Sequence, residues 1–390
     1  MFELRPYQRT AVDKCIEFFK NGSHDDHPII VAPTGAGKSI YIAYIANELG
    51  ENVLVLQPSK ELLEQNYEKY LSYGGEASIY SASLGEKEIG SVTFATIGSV
   101  VKVASEFQHV KYIIIDECHL VPPKEDSMFV TFLNGMKQAK VLGMTATPFR
   151  LKKYRNPFSG APFAQINLLT RERPKFFNGF LHITQIKELY DQKFLSPITY
   201  APLTWDSGKL VVNTNGSEYS DKSVEHELKQ QKINERIPQI IKASVEKGRK
   251  HRVVFVYSVE DAMVLASKVP NSVYVCATTP KKEREQILKD FRAGKIITVF
   301  NVNVLTIGFD FTALDTIILA RPTMSLALYM QMIGRGIRLH PGKTDCVVVD
   351  MCGNISRFSK FEDIEYKTDL NGKWIIWDGI RVLSGVPIDR

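Results

Sequence analysis

The sequence predicts an α/β protein of two tandem domains, each built on a parallel sheet, with a short C-terminal β-hairpin as an extension. Three observations carry that prediction. The 390 residues exceed what one ordinary core accommodates. Short apolar runs alternate with helical patterns twice along the chain, on either side of a looser stretch, and such alternation makes parallel sheets covered on both faces. The first apolar run also leads into a glycine-rich turn, Ala32-Pro33-Thr34-Gly35-Ala36-Gly37-Lys38-Ser39, that opens a helix.

A helix is expected over 6–20, where Ala11, Val12, Cys15, Ile16, Phe18 and Phe19 supply an apolar stripe, and Asn21-Gly22-Ser23 breaks it. Residues 28–31 read as a buried strand and 40–49 as the helix after the turn. Further strands are expected at 53–57, 92–96, 112–117 and 141–145, with helices at 60–71 and 127–136. From 149 to 195 the pattern loosens into Pro, Gly, Phe and basic residues around one helical stretch, 183–190, so a linker or inserted element belongs there. The alternation resumes with a helix over 221–246, strands at 252–257, 272–275, 297–302, 316–319 and 346–350, and helices at 260–268, 281–291 and 325–336. In the tail, 364–367 and 373–377 flank Asn371-Gly372, the signature of a hairpin turn.

The turn at 32–39 has the strand, loop, helix context of a phosphate-binding loop. Gly35 and Gly37 allow backbone conformations that other residues resist, so successive N–H groups can face one anion at the positive end of a helix. Lys38 then reaches the β and γ phosphates, and Ser39 ligates Mg²⁺. Ala32 stands where the general signature has glycine, and the alternative is a glycine-rich turn with a solvated lysine. The apolar strand Tyr112-Ile113-Ile114-Ile115 delivers Asp116-Glu117 to its carboxyl end, where open α/β sheets bind ligands. Asp116 can hold Mg²⁺ through its water shell while Glu117 orients and deprotonates the attacking water. Phosphoryl transfer also needs positive charge at the γ phosphate. Gln331-Met332-Ile333-Gly334-Arg335-Gly336-Ile337-Arg338 offers it in the second domain, where Arg335 and Arg338, three apart at a predicted helix end, can project on one side. Taken alone, two such arginines read by default as a solvated helix face. Gly308-Phe309-Asp310 precedes them at a strand end.

In their order and over nearly the whole chain, these motifs resemble those of superfamily 2 helicases and translocases. Arg5-Pro6-Tyr7-Gln8 is similar to the family's adenine-reading motif, with Gln8 on the base, 32–39 to motif I, and Asp116-Glu117-Cys118-His119 to motif II in a DECH form. Pro58-Ser59-Lys60-Glu61-Leu62 resembles motif Ia, with Lys60 where arginine is usual. Thr145-Ala146-Thr147 resembles motif III, which with His119 couples hydrolysis to the nucleic-acid site. Val254 to Ser258 resembles motif IV. Gly308 and Asp310 match the nucleotide side of motif V, with Val302 where many members have a polar contact, and 331–338 fits Q-x-x-G-R-x-x-R. Within the superfamily, the DNA-repair helicases similar to RadD resemble the chain in Leu4-Arg5-Pro6-Tyr7-Gln8, the DECH tetrad, and Arg321-Pro322-Thr323 through Gly342-Lys343-Thr344-Asp345-Cys346. Their longer members carry a cysteine-rich, zinc-binding C-terminal region, and this sequence reaches Arg390 without it, so no structural zinc is expected.

The resemblance implies RecA-like domains at 1–150, binding ATP, and 201–355, the helicase C-terminal domain. A basic linker or insertion falls at 151–200 and the hairpin extension at 356–390. It implies a monomeric, ATP- and Mg²⁺-dependent hydrolase acting on DNA rather than RNA, single-stranded or branched, in repair, recombination or replication. An RNA-dependent ATPase and a nucleotide-gated clamp with little turnover are the alternatives, because the motifs touch the sugar-phosphate chain that both nucleic acids share. Phosphate contacts are expected at Lys60, Gly98, Ser99, Ser258 and Thr306.

Charge placement agrees with a polyanionic partner. Seven basic residues (Arg150, Lys152, Lys153, Arg155, Arg171, Arg173 and Lys175) face a single acid, Glu172, between 150 and 175, an excess equal to the net charge of +6 of the whole chain. Lys152, Lys153 and Arg155, with Phe158 and Phe163 interleaved, read as a further contact or duplex-splitting element. The rival reading is a loop whose phenylalanines pack on the core while its lysines are solvated. Five cysteines, odd in number and never spaced C-x-x-C, indicate neither a disulfide framework nor a zinc site. No run approaches the roughly 18 apolar residues of a membrane span, and the first residues lack the apolar core of a secretory signal. A cytoplasmic location is expected, at the nucleoid or, if phage-encoded, in the host cytoplasm.

Overall fold

The computed structural model describes residues 3–122, 124, 126–214, 216–304 and 311–388. The chain divides into two compact units, 1–150 with 167–185, and 151–166 with 186–390.

The first unit runs from α1 (Pro6–Asn21) through β1 (Pro28–Val31), α2 (Lys38–Leu49), β2 (Val53–Gln57), α3 (Lys60–Ser72), β3 (Ser78–Ser81), β4 (Glu86–Lys87), β5 (Val92–Thr96), α4 (Ile97–Val100), β6 (Tyr112–Ile115) and α5 (Met128–Asn134) to β7 (Lys140–Thr145). The ribbon of β8 (Phe149–Arg155) and β9 (Pro162–Leu168) follows, its body in the second unit, and β10 (Gly179–Ile183) returns to the first. Among the described residues the sheet order is β10-β1-β7-β6-β2-β5-β3-β4, parallel except for the β3–β4 pair. Its central strands are apolar on both faces, with Ile29, Ile30, Val31, Ile113, Ile114 and Ile115 fully buried, as a sheet sandwiched by helices requires. Lys140 is a buried cation at the start of β7, and its ammonium donates to the carbonyls of Phe19 and Lys20 at 2.9 and 3.1 Å, closing the end of α1.

The order of this sheet places the site. The chain leaves β1 and re-enters the sheet at β2, with β7 and β6 lying between the two. Val31 is in register with Thr145, Ile115 with Gly143, and Leu56 with Ile115, so the carboxyl ends of four strands are level. The loops that leave them gather at one edge, where a change in strand order opens a crevice.

The second unit comprises α6 (Ile186–Asp191), β11 (Ile198–Pro202), α7 (Asp221–Gln230), α8 (Ile233–Glu246), β12 (Arg252–Val256), α9 (Val259–Lys268), β13 (Ser272–Val275), α10 (Lys281–Arg292), β14 (Thr298–Asn301), β15 (Thr316–Ala320), α11 (Leu326–Ile333), β16 (Cys346–Asp350), α12 (Asn354–Phe358), β17 (Glu365–Thr368) and β18 (Trp374–Trp377). Its main sheet, β11-β16-β15-β12-β14-β13, is parallel in every pair. Val254, Val256, Phe300 and Ile318 form a core with Val224, Ile237, Ile241 and Leu265 from the covering helices. Strands β17 and β18 make an antiparallel hairpin closed through Asn371 and Gly372, the latter at φ +71°.

Several expectations need correction. The single helix over 221–246 is two, because Lys232 takes a left-handed conformation at φ +52° between α7 and α8. The helix over 325–336 stops at Ile333, so Arg335 and Arg338 lie in the turn beyond it rather than on a shared helical face. The loose stretch 149–195 contains β8 and β9, which pair with each other as a ribbon, and β10, whose partner is the distant β1. Within 151–200, residues 167–185 join the first unit and β11 pairs with β16 in the second. Thr306, Gly308 and Asp310 lie outside the described residues. No described helix is long and apolar enough to cross a membrane.

Candidate nucleotide-binding site

The turn after β1 is a shaped backbone loop. Ala32 N–H donates to Thr145 O at 3.0 Å, which pins the loop's start to the end of β7, and Ala36 N–H turns back to Pro33 O at 2.9 Å. Gly35 and Gly37 take φ +89° and +93°, the left-handed region that glycine tolerates. A Cβ at Gly37 would also lie 2.8 Å from Gln8 Nε2, so any side chain there would displace the Gln8 amide. Helix α2 starts at Lys38, so unpaired N–H groups of its first turn and the positive end of its dipole face the loop.

Gln8 is buried beneath this loop. Its amide nitrogen donates to Ala36 O at 3.0 Å, its amide oxygen accepts from Arg5 N–H at 3.0 Å, and the Tyr7 hydroxyl donates to the same Ala36 carbonyl at 3.1 Å. The opening of α1 therefore braces the loop through two side chains, of which sequence reasoning singled out only Gln8. Pro33 is buried, while Thr34, Lys38 and Ser39 are half-buried around the loop.

Strand β6 ends in the two carboxylates. Asp116 is buried and takes hydrogen bonds from Glu117 N–H at 2.8 Å and from the Asn66 side chain at 2.9 Å. Glu117 sits in a left-handed conformation at φ +46°, which turns its carboxylate toward Lys38. The Lys38 ammonium pairs with Glu117 and lies 3.4 Å from Asp116 Oδ1. Burial disfavours each charge, and the outcome differs by partner. For Glu117, Lys38 and His119 outweigh burial and hold its pKa below the usual carboxylate range. For Asp116, burial prevails over Lys38, and the repulsion of Glu117 adds to it, so its pKa is raised. For Lys38, the two carboxylates outweigh burial and keep the ammonium charged.

His119 joins the acids to β7. Its Nδ1 lies 3.3 Å from Glu117 Oε2 and 2.8 Å from Thr145 Oγ1, and Thr145 Oγ1 accepts from Thr147 N–H at 3.0 Å. Thr147 is buried with its hydroxyl unpartnered. Cys118 packs behind the site, and Gly143 of β7 leaves room for it: a Cβ at Gly143 would lie 2.9 Å from Cys118 Sγ.

Two further side chains were not legible in the sequence. Asn66 occupies a buried position of α3 alongside Leu63 and Tyr70, and the available signal was a polar residue on an otherwise apolar helical stripe. Arg150 was counted in the basic run, yet its guanidinium donates to His119 O and Val121 O and pairs with Glu172 at 2.7 Å. It clamps the turn that carries His119, and it uses the segment's one acid to do so.

In the second unit, Gln331 is half-buried on α11, Arg335 is buried and Arg338 half-buried in the following turn. That turn is held from behind: Lys343 Nζ donates to Gly336 O and, at 2.9 Å, to Arg338 O. Gly336 is obligatory, because a Cβ there would fall 2.3 Å from Cys346 Sγ. The polymer candidates divide between the units. Lys60 Nζ donates to Ser83 O at 2.9 Å, Ser99 Oγ accepts from Ala82 N–H at 2.9 Å, and Gly98 is exposed next to it, so these three gather around one turn after β3. Ser258 caps α9, its Oγ accepting from Asp261 N–H at 3.0 Å.

A parallel sheet of this order, with a phosphate loop after β1 and a carboxylate pair after β6, and a second parallel sheet later in the chain define tandem RecA-like domains. Residues 1–150 match the family described as type III restriction enzyme, res subunit, and residues 232–340 match the helicase conserved C-terminal domain. The chain thus carries the two domains of a superfamily 2 helicase core. It is 28% identical over 328 residues to a 51.5 kDa protein of a Lactococcus phage, covering 82% of this chain and 64% of that one. It is 25% identical over 357 residues to the ATP-dependent DNA helicase uvsW of Enterobacteria phage T4, covering 83% and 64%. The chain spans less than two thirds of the length of both relatives. Among solved structures, the ATP-dependent type ISP restriction-modification enzyme LlaBIII bound to DNA superposes with a TM-score of 0.64 at 16% identity, over 90% of this chain and 28% of that one.

Proposed function

We propose that the chain is an ATP-dependent motor on DNA, a helicase or translocase that couples hydrolysis to movement along a strand or to remodelling of branched DNA. The observation that carries this reading is the convergence of Lys38, Asp116, Glu117 and His119 after β1 and β6, beside Thr145 at the end of β7 and Thr147 just past it. The finer placement, among the DNA-repair helicases similar to RadD with a DECH motif II, is supported by Leu4 to Gln8, by Asp116 to His119, and by Arg321 to Thr323.

The N–H groups at 35–39 and the Lys38 ammonium receive the phosphates of ATP. A hydroxyl and a buried carboxylate are hard oxygen donors that suit Mg²⁺ bound largely through substrate phosphates and water, so Ser39 and Asp116 fit that ion. When bound there, Mg²⁺ neutralises charge on the β and γ phosphates. Lys38 has a choice of partners. While it pairs with Glu117 it keeps that carboxylate a weak base; drawn to the γ phosphate, it leaves Glu117 more basic as water needs deprotonating. His119 stays on Glu117 and passes its position to Thr145 and Thr147. Arg335 and Arg338 supply positive charge to the transferring phosphoryl group, and Gln8 contacts the adenine.

Three measurements test this. Hydrolysis by the full chain is expected to rise with single-stranded and forked DNA well above matched RNA, and equal or greater stimulation by RNA would overturn the choice of polymer. Glu117→Gln should bind ATP nearly as wild type while turnover falls roughly 10²- to 10⁴-fold; wild-type turnover refutes the general-base role. Arg335→Ala should lower kcat by about 10³-fold with nucleotide affinity changed far less, and a loss of affinity alone would make Arg335 a binding residue.

A further inference from the structure

The ribbon of β8 and β9 holds a large ring in solvent on a firm support. Phe158, at its tip, is 97% exposed. The tip is nonetheless fully built: Asn156 Oδ1 accepts from Phe158 N–H at 2.9 Å and from Ser159 N–H at 3.1 Å. Gly160 N–H donates to Asn156 O and Asn156 N–H to Ala161 O, each at 2.9 Å, with Gly160 at φ +69°. Across the ribbon Tyr154 stacks on Phe163, ring centroids 5.6 Å apart at 20°. At its base Ala164 enters the core of the second unit, and the tail grips β9 through Ile388 N–H to Ala164 O at 3.1 Å and Gly385 N–H to Ile166 O at 2.9 Å. Of the two phenylalanines, Phe163 is therefore a packing residue and Phe158 is not.

The charges around that ring have one sign. Lys152, Lys153 and Arg155 are exposed, residues 151–163 contain no acid, and among the described residues no ion pair engages the three. Arg155 lies at the tip, its Nη1 3.4 Å from Gly160 O. The neighbours of Phe158 are exposed Asn156, Pro157 and Ser159, so no continuous apolar patch surrounds the ring of the kind a protein partner covers. A lone π-face on a ribbon whose Lys152, Lys153 and Arg155 make no ion pair among the described residues, Lys152 lying over the Tyr154 ring, suits a single nucleic-acid strand, whose unpaired bases stack and whose phosphates need neutralising.

We propose that the ribbon is a single-strand DNA contact, with Phe158 stacked on an unpaired base and Lys152, Lys153 and Arg155 on adjacent phosphates. This rests on the reading of the chain as a protein that acts on DNA, and it requires no hydrolysis. The test is equilibrium binding of a fluorescein-labelled oligothymidylate and of a blunt duplex to the full chain without nucleotide, over a range of salt. Phe158→Ala should weaken single-strand binding about five- to tenfold while leaving the salt slope and duplex affinity unchanged, and Phe158→Trp should retain affinity. The triple variant K152E/K153E/R155E should lower the salt slope by about two, at roughly 0.7 for each phosphate no longer neutralised. Wild-type single-strand affinity in Phe158→Ala, or no binding of the oligothymidylate by the wild type, overturns the proposal. Should the wild type show no DNA-stimulated hydrolysis while the Phe158→Ala binding defect persists, the motor reading fails and the ribbon contact stands.

Discussion

Asn66 illustrates how a single buried amide can orient a buried carboxylate. Its side chain donates to Asp116 Oδ2 at 2.9 Å, while Glu117 N–H and Lys38 occupy the neighbourhood of Oδ1. Both oxygens are thus oriented before any ligand arrives, which limits the reorganisation needed to accept a metal-bound water. Asn66→Ala is expected to raise the Mg²⁺ concentration for half-maximal ATP hydrolysis by roughly tenfold, a typical cost of losing a hydrogen-bond partner of a metal ligand. A magnesium titration with unchanged midpoint would show that Asp116 needs no such support. Asp116 and Glu117 themselves were plain in the sequence, because an apolar strand followed by two acids is a local pattern. Asn66 was not, since only the packing of α3 brings it to an acid fifty positions away.

At the scale of elements, the second unit is tied across its sheet by one ion pair. Asp345, just before β16, accepts from Thr199 Oγ1 of β11 at 2.7 Å, and from Arg249 through both guanidinium nitrogens, ahead of β12. Hydrogen bonds from Arg249, opposed by partial burial, hold the Asp345 carboxyl below its ordinary range. The folded pKa is lower than the unfolded one, so the stabilisation is present in full above about pH 4 and fades as pH falls through the folded value. Asp345→Asn should cost on the order of 2 kcal/mol at pH 7, and thermal melts should show the gap to wild type closing in acid. A gap independent of pH would mean that the carboxylate charge contributes nothing. The same element scale holds the arginine turn. Its helix ends at Ile333, and what positions Arg335 and Arg338 is Lys343 grasping the carbonyls of Gly336 and Arg338.

For the molecule as a whole, the path of the chain matters more than the order of its motifs. The first unit is not complete at Arg150: β10 arrives only at 179–183 and pairs along β1 from Pro28 to Val31, and Thr184 N–H adds a bond to Val31 O at 3.0 Å. The strand that launches the phosphate loop therefore has its outer edge covered by a segment that follows an excursion into the second unit. A chain cut after Arg150 leaves that edge bare, and a bare apolar edge invites association. It is expected to melt without cooperativity and to show no ATP-induced rise in Tm, whereas a chain cut after Gln185 shows both. Equal melts for the two fragments would mean that β10 is dispensable to the first unit.

What the sequence determined by itself was whatever is built from neighbours: the glycine turn opening α2, the most apolar strands of both sheets but not β3, β4, β10 or β11, the acids after β6, and the Asn-Gly hairpin of the tail. Left-handed glycine conformations, strand burial and helix starts are decided within a few residues, so their signatures survive in a linear string. Only the tertiary structure decided that Asn66 meets Asp116, that Arg150 spends its charge on Glu172, that β10 flanks β1, and that Lys343 secures the arginine turn. The first three bring together groups far apart in the chain, and the last depends on how a short turn folds back on itself; composition and spacing carry no record of either.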